Sequence, residues 1–345
     1  MVIVIHDNAT IGPNVNEPIV RLMLDAAIKE LTGQATVGDA WLSLFPGLTT
    51  SEVISTKVNC INSQLPSHPE VANCIANGLT QMQIGIETFP DNNIIIWDRT
   101  DSELTSSGYT INAGPTGVRC FGTNHSGVGY SSTSIDVAGV TSYPSRIVTD
   151  LCAHMISLAV LKNHSGPGIT LNLKNHYGSV NNPGSLHGPG YLCDPYIAAL
   201  NLAFRDDLGK LQKISIIDAL FGSYSNGPGG APQFVYNGLI LSTDPVACDY
   251  EGMLIINEER ANHGLGPVNA PYIQTSADYG LGTNDPAEID LRWIINPGVD
   301  ESQPWLALGE GVKLLKNRPN PCTFETLIPF ELSRSSRVAL HIYSQ

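Results

Sequence analysis

Two Lys-Asn-His triplets stand twelve residues apart, Lys162-Asn163-His164 and Lys174-Asn175-His176, within a stretch, residues 151–193, that contains no Asp or Glu. Ammonium and imidazole groups hold anions, polarise them or pass them a proton. The chain as a whole is acidic, with formal net charge -14, and has only eight lysines. A local absence of carboxylates leaves these groups and the nearby His187 unneutralised, as a site for a bound anion, or for a metal carrying one, requires. The plain alternative is a solvated loop whose lysines hold nothing.

The elements that must position these residues follow from periodicity. Apolar runs at 53–58, 93–97, 156–161, 214–217 and 238–241 read as strands, and 18–31, 69–82, 195–208 and 245–257 as helices. Asp194-Pro195 and Asp244-Pro245 read as N-caps with proline at the first helical position. The alternation of Ile/Val-rich strands with helices predicts an α/β fold, a mostly parallel central sheet flanked by helices. Residues 109–145 and 262–302 are Gly-, Ser-, Thr- and Asn-rich and read as long covering loops. The expected division is an α/β domain over 1–317 and a short β segment over 318–345.

In such sheets ligands gather at the carboxyl ends of the strands. Those ends carry Lys57 and Asn59, then Asp98, then Lys162 and His164, then Asp218, then Asp244 with Asp249 one turn into its helix. Lys57, Lys162, Thr170, Lys174 and Asn175 are the candidate anion-binding residues. Asp98, His164, Asp218 and Asp249 are the candidate ligands of a divalent cation such as Mg²⁺ or Mn²⁺. His164, Lys162 and Lys174 are the candidate catalytic residues, with His164 placed as acid or base near neutral pH. A ring of internal salt bridges would have the same composition. Residues 169–178 read as a short helix ended by Gly178, with Thr170 and Lys174 one turn apart and Gly166-Pro-Gly168 as a tight turn before them. A helix N-terminus behind such a turn is an anion seat.

The 345 residues are 42% hydrophobic and only 14% charged, with 33 Gly and 23 Pro. This low charge, with polarity supplied by Asn, Ser and Thr, fits a folded, exported protein, extracellular or on the bacterial cell surface, whose leader is absent from the chain. The acidic balance argues against nucleic acid and anionic membrane surfaces. No apolar run is long enough to span a bilayer, and residues 1–5 read as a first strand, so the chain is either cytosolic or has had its leader removed, and composition does not decide between the two. None of the seven cysteines forms C-x-x-C, so iron–sulphur and c-type haem motifs are absent. Cys60 and Cys74 could pair in an oxidising compartment; buried thiols acting as small hydrophobes are the alternative. G-x-G-x-x-G, P-loop, G-x-S-x-G and H-E-x-x-H patterns are all absent.

Lys57-Val-Asn59, Leu161-Lys-Asn-His164, Thr170-Leu-Asn-Leu-Lys174-Asn175 with Gly178, Asp218 followed by Gly227-Pro-Gly229, and Ser242-Thr-Asp-Pro-Val-Ala247 with Asp249 resemble the domain of unknown function 362 family over about residues 50–260. The resemblance implies an α/β domain, sometimes joined to ferredoxin-type iron–sulphur modules and so to a redox context. It brings no established reaction or catalytic residue. Asn320-Pro321, Thr326, Ile328, Phe330, Leu332 and Val338-Ala-Leu-His-Ile-Tyr343 resemble the beginning of a type IX secretion sorting domain, stopping after about two strands. That resemblance implies display at the cell surface and strands that pair with a second copy or a surface-protein partner.

The leading expectation is thus an exported protein with a metal- and/or anion-binding site for a small anionic ligand, a candidate enzyme. The rivals are a non-catalytic surface-layer or filament subunit and a secreted binding protein using exposed aromatics such as Trp41, Tyr130, Tyr177 or Tyr224.

Overall fold

Helix α1 (Glu17–Thr32) shows how this sequence commits to its layers. Val20, Met23, Leu24, Ala27 and Ile28 recur at helical spacing and are all buried. Pro18 lies in its first turn, and Gly33, in the left-handed region at φ 69°, closes it by donating to the Lys29 carbonyl. Helix α2 (Pro69–Leu79) repeats the pattern with Val71, Ala72, Ile75, Ala76 and Leu79. The structure is a computed structural model and describes residues 1–295, 297, 312–314 and 330–332.

The strands of the main sheet are β1 (Val2–His6), β2 (Ile54–Lys57), β3 (Ile94–Trp97), β4 (Arg119–Cys120), β5 (His154–His164), β6 (Gly168–Thr170), β7 (Ile214–Ser223), β8 (Phe234–Ser242) and β9 (Leu291–Ile295). They form one nine-stranded sheet in the order β9-β1-β8-β7-β5-β2-β3-β4, with β6 paired to β5. Only β8 and β6 run against the common direction. The expected α/β architecture, a mostly parallel sheet flanked by helices, is therefore what the chain forms.

Strand residues alternate between two apolar layers, as the period of two requires. Ile3 and Ile5 join α1, α2, Trp41 and Phe45 on one face. Val2 and Val4 join helices α4 (Tyr196–Asp206), α5 (Pro245–Asn262) and α6 (Tyr272–Asp278) on the other.

Chain order makes β2 lead through α2 to β3, while β5, beside β2, leads to β7 on the opposite side. The β2/β5 boundary is thus the point where the winding reverses, and a crevice opens there at the strand ends. Strand β5 runs five residues beyond the last pair with β2, Ser157↔Lys57, before Lys162. There it folds back as β6, with Lys162 opposite Thr170 and His164 opposite Gly168. The register between β5 and β7 shifts between Val160 and Lys162, a bulge that re-aims the end of the strand.

Several expectations change. Thr170 lies on β6 rather than one helical turn before Lys174, and the helix behind it, α3, covers only Asn172–Asn175, followed by a 3₁₀ turn, His176–Ser179. The three residues of a short antiparallel strand have no period long enough to tell them from a helix start. Asp244 caps α5 as expected, accepting from Val246 and Ala247 N–H at 2.9 Å each. Asp194 caps nothing: Pro195 holds the N-cap position of α4, and Asp194 Oδ1 is buried without a partner. Residues 262–302, expected as loop, contain α6 and the edge strand β9.

Cys60 and Cys74 are buried free thiols, not a disulfide. Residues 1–297 form one compact unit and 298–345 a second, which includes an antiparallel pair, Val312–Leu314 with Phe330–Leu332. The expected boundary at 317/318 and most of the C-terminal segment lie outside the described residues. No helix among the described residues is long and apolar enough to cross a membrane.

Candidate functional site

A cavity of about 840 Å³ opens above the β2/β5 boundary. Its floor is Lys57, Asn59 and Asp98 from the ends of β2 and β3, and His164 and Thr170 from the β5–β6 hairpin. Lys174 and Asn175 come from α3, and Pro228 and Gly229 from the β7–β8 connection. Tyr177, His187 and Tyr191 line the loop that closes it. The size is that of a small-molecule site.

Lys57 is buried, and its ammonium is saturated. It pairs with Asp98 at 2.6 Å, donates to the Val58 carbonyl at 2.7 Å and reaches Asn175 Oδ1 at 3.3 Å. Asp98 also accepts from the Cys60 and Arg99 N–H groups at 2.6 and 2.8 Å. Asn175 spends its amide on the Lys57 carbonyl and Ser157 Oγ, at 3.0 and 3.2 Å. Lys57 and Asn175, expected to hold an anion, therefore build the cavity floor, because each donor is already taken by a protein acceptor. Gly178 lies against this pair: a Cβ there would sit 3.0 Å from Lys57 Nζ and 3.2 Å from Asp98 Oδ1.

Lys162 is also corrected. It is fully buried and absent from the cavity wall, and its Nζ donates to Asn59 Oδ1 at 2.7 Å and the Leu65 carbonyl at 3.3 Å. Burial lowers its pKa to about 8. It ties β5 to the loop after β2.

Lys174 differs from both. It is 7% exposed on the cavity wall, with its ammonium 3.9 Å from the Tyr177 ring centroid. Cys193 is its other polar neighbour, and no carboxylate among the described residues faces it. Burial lowers its pKa to about 8, with Cys193 opposing the shift. An ammonium over an aromatic face with no counter-ion is an incomplete ion pair.

Around it stand two neutral imidazoles with complementary free nitrogens. The Gly166 N–H donates to His164 Nδ1 at 3.0 Å, so the neutral ring carries its proton on Nε2. Burial, then the charges of Lys174, His187 and Lys162, lowers the His164 pKa to about 3. The expectation that His164 titrates near neutral pH is thus overturned: it is a fixed N–H donor. His187 Nδ1 donates to the Pro183 carbonyl at 3.0 Å, leaving an Nε2 lone pair. Burial, then Lys174, lowers its pKa as well. Thr170 lines the cavity, but its hydroxyl, expected as an anion ligand, is itself buried out of reach of the cavity and has no hydrogen-bond partner among the described residues.

The four expected metal ligands do not meet. Asp98 and His164 line the cavity; Asp218 and Asp249 do not. Asp218 accepts from His68 N–H at 2.8 Å and from His68 Nδ1 at 2.7 Å, fixing the start of α2. Asp249 accepts from the Asn172 and Leu173 N–H groups at 2.8 and 2.9 Å. It thereby fills the helix N-terminus expected to seat an anion. Among the described residues no group of three or more His, Cys, Asp or Glu is arranged to hold a metal. His176 is buried away from the cavity, bonded to Gln212 Oε1 at 2.9 Å.

Of the aromatics expected to be exposed, Trp41 and Tyr177 are buried, whereas Tyr130 is 40% exposed. The sequence reading gave no role to Tyr191, Cys193, Ile61 or Arg99. The signal for the first two was the run His187-Gly-Pro-Gly-Tyr-Leu-Cys193, in which Gly188, Gly190, Tyr191 and Cys193 all take positive φ. A non-glycine residue at positive φ marks strain that packing holds in place. Arg99 is neutralised by Glu103 at 2.7 Å.

The pattern of the family described as "Domain of unknown function (DUF362)" matches residues 54–253, more than half of the chain and all of the cavity-lining residues. No curated protein matches the sequence. Among solved structures, the chain is similar to the crystal structure of a protein from Thermotoga maritima, a Northeast Structural Genomics Consortium target, at 12% identity and a TM-score of 0.38. The match covers 75% of this chain and 60% of that one, so it spans less than two thirds of that protein's length.

Proposed function

The chain belongs to the domain of unknown function 362 family, and from that premise we propose that its cavity binds a small anionic organic molecule. The observation that carries this reading is Lys174, a cation on the cavity wall with no carboxylate among the described residues facing it. Two features support the same ligand chemistry. His164 presents an Nε2–H donor. Ile61 and Tyr191, 56% and 69% exposed, line the same cavity and suit an apolar portion of the ligand.

A carboxylate or phosphate beside Lys174 and His164 would complete the ion pair and accept from the imidazole N–H. Binding then stabilises the fold by mass action. Glycolate and inorganic phosphate should raise the Tm of the full chain near pH 7, and Lys174→Met should abolish the rise. An equal rise in the variant would sink the reading.

Display outside the cell and passage through a type IX secretion route belong to the same proposal. They are supported by the low charge of the chain and by the alternation Val338, Leu340, Ile342 in its C-terminal segment. Fractionation of cells making the full-length protein tests them: retention in the cytoplasm would contradict both.

A further inference from the structure

We propose that Lys174 is a nucleophile that forms an imine with a carbonyl-bearing acid, a 2-oxo acid or an aldehyde acid, whose carboxylate is held by His164. The inference rests on the anion-binding reading and adds the reactive group of the ligand.

Lysine acts as a nucleophile where its surroundings are apolar, no counter-ion holds the proton and the amine meets an open cavity. Lys174 alone of the three buried lysines meets all three conditions. Lys57 reaches the same cavity but is held by Asp98 at 2.6 Å. Lys162 is off the cavity wall, bonded to Asn59 and Leu65. The Lys174 side chain lies along the Tyr177 ring, which fixes its direction. With a pKa of about 8, roughly one Lys174 in ten is the neutral amine at about pH 7. The neighbouring Cys193 is the weaker competitor: burial raises its thiol pKa, and its Sγ donates to the Tyr191 carbonyl at 3.5 Å.

The neutral Nζ lone pair forms the C–N bond as the carbonyl π pair moves to oxygen. The proton leaving nitrogen passes to that oxygen, giving a carbinolamine. Loss of its hydroxyl together with the remaining N–H proton, as water, leaves the C=N bond. Amine and carbonyl become imine and water, with no oxidant or reductant. His187 suits the transfer, because its neutral Nε2 carries a lone pair and its Nδ1 is fixed on the Pro183 carbonyl. Tyr177 is not the proton carrier, since its hydroxyl donates to the Leu186 carbonyl at 2.6 Å.

The test treats the full chain with glyoxylate and cyanoborohydride, then maps the reduced product by peptide mass spectrometry. The expected result is an N-carboxymethyl group on Lys174 ahead of the exposed Lys213, forming faster from about pH 7 to about pH 9 as the amine is freed. Glycolate, which has no carbonyl, should slow it. Lys174→Met and Lys174→Arg should lose it while the other lysines react as before. Labelling of Lys174 no faster than Lys213, or none, overturns the imine. If glycolate still raises the Tm in that case, the anion-binding reading stands and only the imine fails; if neither occurs, both fail.

Discussion

At Lys174 the ammonium has an aromatic face, a thiol and an open cavity around it. The unfolded chain holds that proton to about pH 10.5, while the folded chain releases it near pH 8. Folding therefore works against the charge at any pH below about 8, and the cost disappears as pH rises toward 10.5. Lys174→Met should stabilise the protein near neutral pH by on the order of 2 kcal/mol, with the gain vanishing above about pH 10; denaturant titrations at several pH values measure it. Lys57 carries the opposite expectation. Lys57→Met strands Asp98 as a buried unpaired carboxylate and should cost about 3–5 kcal/mol, read from the urea midpoint. Lys57 was legible as a basic residue at a strand end and Lys174 as one on a short helix in a carboxylate-free stretch. Which one had a counter-ion was not, because Asp98 lies 41 positions from Lys57 in sequence and meets it only in the sheet.

The elements are held by carboxylates taken for metal ligands. Asp249 on α5 grips the first N–H groups of α3, and Asp218 at β7 grips the start of α2 through His68. Burial opposes a charge on His68, but the charge and hydrogen bond of Asp218 outweigh it and raise its pKa above 6.5. The stability this gives is present in full below about pH 6.5 and is lost as pH rises through the folded-state value. His68→Gln should flatten the fall in Tm above about pH 6.5; an unchanged slope would remove the dyad from the account. Asp249 titrates in a lower window, because burial, outweighing its two N–H donors, lifts its carboxyl to about 7. Its contribution is fullest below about pH 4 and fades as pH climbs through about 7. Asp249→Asn should remove that slope.

The long strands and helices were legible from periodicity, since Ile- and Val-rich runs bounded by Pro and Gly have few alternative structures. The β5–β6 hairpin was not: β6 is three residues long, too short to show a period. Gly178→Ala tests how tightly α3 and its following turn sit on the floor. The added methyl would press on Lys57 and Asp98, and loss of stability by about 1–3 kcal/mol is expected.

On the scale of the unit formed by residues 1–297, nine strands with helices on both faces place a crevice where the winding reverses between β2 and β5. The sequence pointed to strand ends and to a carboxylate-free stretch, and both converge on that crevice. It could not show that β5 overruns its neighbours, nor that residues 177–191 close over it, because both depend on register and on the positive-φ turn at Gly188–Cys193. Among the described residues the fold thus sets a cation without a counter-ion and an imidazole N–H donor on the wall of the cavity. NMR titration of the full chain with isotopically labelled lysine side chains measures this most directly. The account predicts that Lys174 titrates at about 8 and that saturating glycolate moves the value upward. A titration at the ordinary lysine value of 10.5, unmoved by glycolate, would contradict it.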